Sequence, residues 1–85
     1  VTYAISWTPQ AQRQAHSLDA TVARRVFAAV ARLAVDPRPS GVKKLVGADD
    51  LWRIRVGDWR VIYRVRDAEL IVLIVRVAHR RESYQ

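Results

Sequence analysis

Gly57-Asp58 joins two runs of every-second-residue alternation, residues 51–56 and 59–66, and this junction constrains the fold more tightly than any other stretch. A glycine-led pair between alternating runs is the signature of a two-residue β-hairpin loop. Strand side chains point alternately to opposite faces, so the hairpin can be laid out residue by residue. Trp52, Ile54 and Val56 share a face with Trp59, Val61, Tyr63 and Val65. Arg53 and Arg55 share the other with Arg60, Ile62, Arg64 and Arg66. A two-residue loop sets Val56 opposite Trp59, Arg55 opposite Arg60, Arg53 opposite Ile62 and Trp52 opposite Tyr63. The apolar faces then coincide, which supports the register.

The same register places two arginines directly across from each other. Opposed like charges destabilise a sheet, and Asp58 sits in the turn, so neither strand carries a carboxylate to offset Arg55 and Arg60. A charge run is usually just a solvated face. Repulsion tolerated between paired positions points instead to an anionic partner. Arg66 falls opposite Glu69 if Asp67-Ala68 is a second tight turn, an ordinary opposite-charge pair. Residues 69–78 are, after Glu69, apolar on both faces except at Arg76, the pattern of a strand covered on both sides near the middle of a sheet. That strand delivers His79, Arg80 and Arg81 to the sheet edge, with Tyr84 on a short tail. Trp52, Trp59 and Tyr63 lie away from the arginines, so they read as core rather than as a base-stacking platform.

Upstream, Tyr3, Ile5 and Trp7 alternate with Ala4 and Ser6, predicting a strand over residues 2–7. Thr8-Pro9 starts a short helix to about Ser17, with threonine as N-cap and proline at the first helical position. Asp19 caps a second helix in which Val22, Val26, Ala29, Val30, Leu33 and Ala34 form one apolar stripe. Asp36-Pro37 stops it, and the short connection between the helices predicts an antiparallel helical hairpin. Lys43-Lys44-Leu45-Val46 reads as a short edge strand whose lysines discourage pairing with another chain. A strand, two helices and an antiparallel meander make an α+β layout.

Eighty-five residues suffice for one modest core, so the chain is expected to be a single domain. The net charge of +7 comes from fifteen basic residues, thirteen of them arginine, against eight acidic ones. Such a balance favours an anionic partner, nucleic acid or an acidic protein, and arginine suits planar phosphate or carboxylate recognition. There is no cysteine, which excludes disulfides and thiolate chemistry and suits a reducing compartment. Two histidines without clustered carboxylates make a metal site a poor fit. No signal-peptide pattern precedes Trp7, and the longest apolar run, residues 70–75, is far too short to span a bilayer. A cytoplasmic, cofactor-independent protein is expected.

Lys44-Leu45, then Leu51-Trp52-Arg53-Ile54-Arg55-Val56-Gly57-Asp58-Trp59-Arg60-Val61-Ile62-Tyr63, then Val77-Ala78-His79-Arg80-Arg81-Glu82-Ser83-Tyr84 together resemble the RelE-type toxins of the RelE/ParE toxin–antitoxin superfamily. The resemblance implies one RelE-like domain over residues 1–85. Its α+β fold would be an N-terminal strand and an antiparallel helical hairpin packed on one face of a mainly antiparallel four- to five-stranded sheet. It implies metal-independent, ribosome-dependent cleavage of messenger RNA, in which a ribose 2′-hydroxyl attacks the adjacent phosphate. It also implies an antitoxin partner, acidic or partly disordered, that wraps the basic surface.

Carried over residue by residue, the resemblance makes Arg60, Arg80, Tyr84, His79 and Arg55 the candidate catalytic residues. Arg53, Arg55, Arg64, Arg81, Lys43 and Lys44 are the candidates for holding RNA phosphates. Some members have lysine where this chain has Arg53 and Arg55. Arginine keeps its proton, so proton transfer would fall to His79, Tyr84, or the RNA and ribosome. The alternative within the superfamily is a ParE-like inhibitor of DNA gyrase without RNA chemistry, and a plain binding module for an acidic protein is a third reading.

Overall fold

The computed structural model describes residues 1–47 and 50–81. In chain order these form β1 (Ala4–Trp7), α1 (Pro9–His16), α2 (Ala20–Leu33), β2 (Lys43–Lys44), β3 (Leu51–Val56), β4 (Trp59–Arg66) and β5 (Ile71–His79). The strands make one sheet in the order β1-β5-β4-β3-β2. β1 runs parallel to β5, and the other pairs are antiparallel. The α+β arrangement expected from the sequence is therefore the one observed. Among the described residues no helix is long and apolar enough to cross a membrane.

Local chemistry starts each helix where the sequence places it. The Thr8 side chain accepts a hydrogen bond from Ala11 N at 3.1 Å, with Pro9 in the first turn. Asp19 Oδ1 accepts from Val22 N at 3.0 Å. Both caps satisfy main-chain donors that a helix start would leave orphaned. α1 packs on β5 while α2 packs against β1 and β3, so the helical hairpin covers one face of the sheet. Val26, Val30 and Leu33 of α2 bury against Ile54, Val61, Tyr63, Val65, Val72 and Ile74. Tyr63 has no exposed surface, and its hydroxyl donates to Pro37 O at 2.8 Å. Burial pushes that phenol up to about 12.

The hairpin register agrees with expectation at every pair: Trp52 with Tyr63, Arg53 with Ile62, Arg55 with Arg60 and Val56 with Trp59. Gly57 takes a φ of 60° at the first loop position, a conformation in which a side chain would be strained. The next turn differs from the tight loop expected at Asp67-Ala68. It uses four residues, with Leu70 N bonded to Asp67 O at 3.3 Å and Leu70 at φ 56°. β5 consequently begins at Ile71, and Ile71 rather than Glu69 stands opposite Arg66. Asp67 is engaged elsewhere. It accepts two hydrogen bonds from the Arg38 guanidinium, at 3.1 and 2.8 Å, and one from Tyr3 Oη at 2.6 Å.

This cluster ties the loop after α2 to the β4–β5 turn. The Arg38 hydrogen bonds, followed by that from Tyr3, hold the Asp67 carboxyl at about 2, below its usual 3.8. A depressed carboxylate contributes stability that is present above the ordinary value and lost as pH falls through the depressed one. Asp67→Asn is therefore expected to flatten the stability profile between about pH 4 and pH 2, read by circular dichroism during acid titration. An unchanged acid limb in the variant would contradict this assignment.

β5 also carries an irregularity that alternation does not foretell. Tyr63 pairs with Ile74 and Ile62 with Arg76, so Val75 is an extra residue, a β-bulge. β1 ends opposite Ile74, and α1 takes over from there: Thr8 N donates to Ile74 O at 2.9 Å and Thr8 Oγ1 to Val75 O at 3.3 Å. Val77 N donates to the Gln14 side-chain oxygen at 2.7 Å. Helix side chains thus replace a strand along the last stretch of β5.

Candidate phosphate-binding site

The sheet face away from the helices carries the cations. β2, β3 and β4 align Lys43 with Arg53, and Arg55 with Arg60. Lys43, Arg53, Arg55 and Arg60 line a cleft of about 300 Å³, closed on one side by Gly41. No carboxylate lines it among the described residues. Four cationic side chains converging on one concavity raise the local potential for an anion. Arg55 is aimed by its own hairpin: its Nε donates to Gly57 O at 3.2 Å. Arg60 lies opposite Ala78, a small buried residue.

Arg80 arrives at the loop end of the β3–β4 hairpin. Its main-chain N donates to Asp58 O at 2.8 Å, and its guanidinium reaches within 3.9 Å of the Asp58 carboxylate. That pair is long and solvent-facing. Arg81 is exposed beside it.

The remaining candidates are placed elsewhere. Lys44 pairs with Trp52 and so faces the helix side, its ammonium 5.9 Å from the indole ring, which also carries Arg38 at 5.1 Å. Only Lys43 of the two lysines joins the cleft. Arg64 is held in a salt bridge with Asp50.

His79 pairs with Trp59 and meets its ring edge-on at 5.2 Å, on the face opposite Arg60. The bulge causes this, since it advances the alternation of β5 by one residue and turns Ala78, not His79, toward the arginines. His79 Nδ1 accepts from Arg81 N at 3.3 Å, so the neutral imidazole carries its proton on Nε2. Tyr84 lies outside the described residues. Among those residues no group of three or more His, Asp or Glu side chains forms a metal-ligand set.

Two parts of the site were missed by sequence reading. Gly41 closes the cleft, and its only signal was its place in a proline-flanked loop. Asp50 occupies Arg64, and nothing in the spacing marked it as a partner.

Known proteins share the sequence pattern and the overall fold. The family model for the ParE toxin of type II toxin–antitoxin systems matches residues 5–84. A chain of the archaeal RelE–RelB complex from Pyrococcus horikoshii is 32% identical, with 94% of this chain and 97% of that one covered and a TM-score of 0.83. In the toxin–antitoxin complex RelBE2 from Mycobacterium tuberculosis the identity is 30%, the coverage 93% and 99%, and the TM-score 0.81. A curated relative, toxin RelE1 of Methanocaldococcus jannaschii, is 34% identical over 44 residues, 52% of this chain and 49% of that protein. The match therefore spans about half the length of that relative.

Proposed function

This chain belongs to the RelE/ParE superfamily as a RelE-type toxin of a type II toxin–antitoxin system, and from that premise we propose that it cleaves messenger RNA on the ribosome. The observation that carries the proposal is the cleft of Lys43, Arg53, Arg55 and Arg60, lined by no carboxylate among the described residues, with Arg80 near the hairpin loop. Attack of a ribose 2′-hydroxyl on the adjacent phosphate builds a pentacoordinate centre with added negative charge. The bond to the 5′-oxygen then breaks, leaving a 2′,3′-cyclic phosphate and a 5′-hydroxyl. Fixed cations around the phosphate stabilise the charge that develops along this path.

In this mechanism Arg60 and Arg55 grip the phosphate oxygens, Arg80 closes the site from the hairpin end, and Arg53 and Lys43 hold the neighbouring backbone. The repulsion between Arg55 and Arg60 is the strain of a site preorganised for an anion. Arginine neither accepts nor releases the reaction's protons. His79 faces Trp59 on the other side of the sheet, so among this chain's residues proton transfer falls to Tyr84, with the RNA and ribosome supplying the remainder. The partner that silences the site is an antitoxin with an acidic or partly disordered segment, matched in charge to a +7 protein.

The ParE description of the matching family model favours one further reading, a gyrase poison without RNA chemistry. Adding purified protein to translating ribosomes separates the two. Messenger fragments ending in 2′,3′-cyclic phosphate are the expected result. Intact messenger together with loss of gyrase supercoiling would replace the cleavage reading by the second.

A further inference from the structure

The cation cleft does not end at β3. β2 pairs only with Arg53 and Trp52, so residues 54–56 have no strand on their outer side among the described residues. Along that bare edge run two more concavities, of about 370 and 300 Å³, between β3 and α2. They share Ala29, Arg32 and Arg55, and the second reaches Arg25 and Gly57. Arg55 also lines the cleft on the open face, so a single side chain connects all three.

We propose that Arg32 and Arg25 extend the site into a continuous track for the sugar–phosphate backbone of single-stranded RNA, running from the cleft over the β3 edge to α2. The proposal rests on the cleavage reading and adds to it where the flanking RNA lies. Arg25 and Arg32 are seven residues apart, two helical turns, which spaces them about 10 Å along one face of α2. Neither makes a hydrogen bond or ion pair among the described residues. Arg25 reaches the hairpin loop, where a Cβ added at Gly57 would lie 3.5 Å from its Nη2.

Among the described residues no carboxylate lines either groove to repel a polyanion. Ala28, Ala29 and Gly41 keep the walls low enough for a backbone to approach. Among the described residues no aromatic side chain lines the grooves to serve as a stacking platform for bases. The contacts therefore position the strand without reading its sequence.

The probes are 2′-O-methyl oligouridylates of three and nine nucleotides, which cannot be cleaved, with affinity measured against salt. Each neutralised phosphate of a single strand contributes about 0.7 to the slope of log K against log salt. Arg25→Gln with Arg32→Gln is expected to reduce the slope for the nonamer by about 1.4 and to leave the trimer unchanged. The lysine pair Arg25→Lys with Arg32→Lys should restore it. An unchanged nonamer slope in the glutamine variant overturns the proposal, as does a variant that keeps its RNA slope while losing affinity for polyglutamate.

Ribosomes with and without bound messenger distinguish the RNA source. Weakened binding to both assigns the track to ribosomal RNA, and weakening only with messenger assigns it to messenger; unchanged binding to both overturns it. The underlying cleavage reading fails by a different result, intact messenger with wild-type protein, which leaves the salt-slope comparison valid.

Discussion

Alanine at Arg60 is expected to slow messenger cleavage about 10²- to 10³-fold, the usual loss when one preorganised group facing a developing negative charge is removed. The drop should appear in kcat, because charge at the phosphate grows on the way to the pentacoordinate centre and the substrate is held as well by Arg53 and Lys43. Arg60 also faces Arg55 across the hairpin, and its removal ends that like-charge repulsion. Single-turnover cleavage on programmed ribosomes and a thermal melt of the same variant make the test. A variant that keeps full activity would remove Arg60 from the mechanism. One that loses activity and melting temperature together would reassign it to the fold.

The largest expected stability change lies on the other side of the sheet. Tyr63→Ala should destabilise the domain by about 3–5 kcal/mol, the range for deleting a large buried aromatic ring. Domains of this kind hold about 5–15 kcal/mol in total, so the loss should be plain as a fall in the urea midpoint. Tyr63→Phe isolates the hydroxyl. It leaves the Pro37 carbonyl without its donor and should cost about 1–3 kcal/mol.

The two proteins should also part in alkali. The buried Tyr63 phenol ionises at about 12, above its ordinary 10.0. Below pH 10 both folded and unfolded chains keep the proton, so the group is neutral toward stability. Between about 10 and 12 the unfolded chain releases it first, and wild-type stability falls with a slope that the phenylalanine variant lacks. Parallel alkaline limbs for the two proteins would contradict the burial account.

How far these results could be read from the chain alone differs between its two hairpins. Gly57-Asp58 fixes a loop length, and polar and apolar residues alternate cleanly on either side, so the Arg55–Arg60 pair follows from counting. The Asp67 turn offered a similar count and misled, because an Asp-Ala pair imposes no loop length and Asp67 answers to Arg38 and Tyr3, both distant in sequence. In residues 71–75 the run is apolar throughout, so no break in alternation reveals a bulge. Lys43 and Lys44 face opposite ways for a similar reason: a two-residue strand has no pattern from which to read its phase. Tyr84 was singled out from the sequence and lies outside the described residues.

Val75 stands in β5 without a partner residue across from it in β4. A substitution there alters one side chain in the middle of β5. Loss of the codon would remove only that extra residue: Arg76 would follow Ile74 directly and still stand opposite Ile62, so Val77, Ala78 and His79 would keep their present faces. The phase would change only if Val75 stayed and took a regular place opposite Ile62, which would turn Arg76 toward the helices, Val77 to the open face and His79 to the face of Arg60.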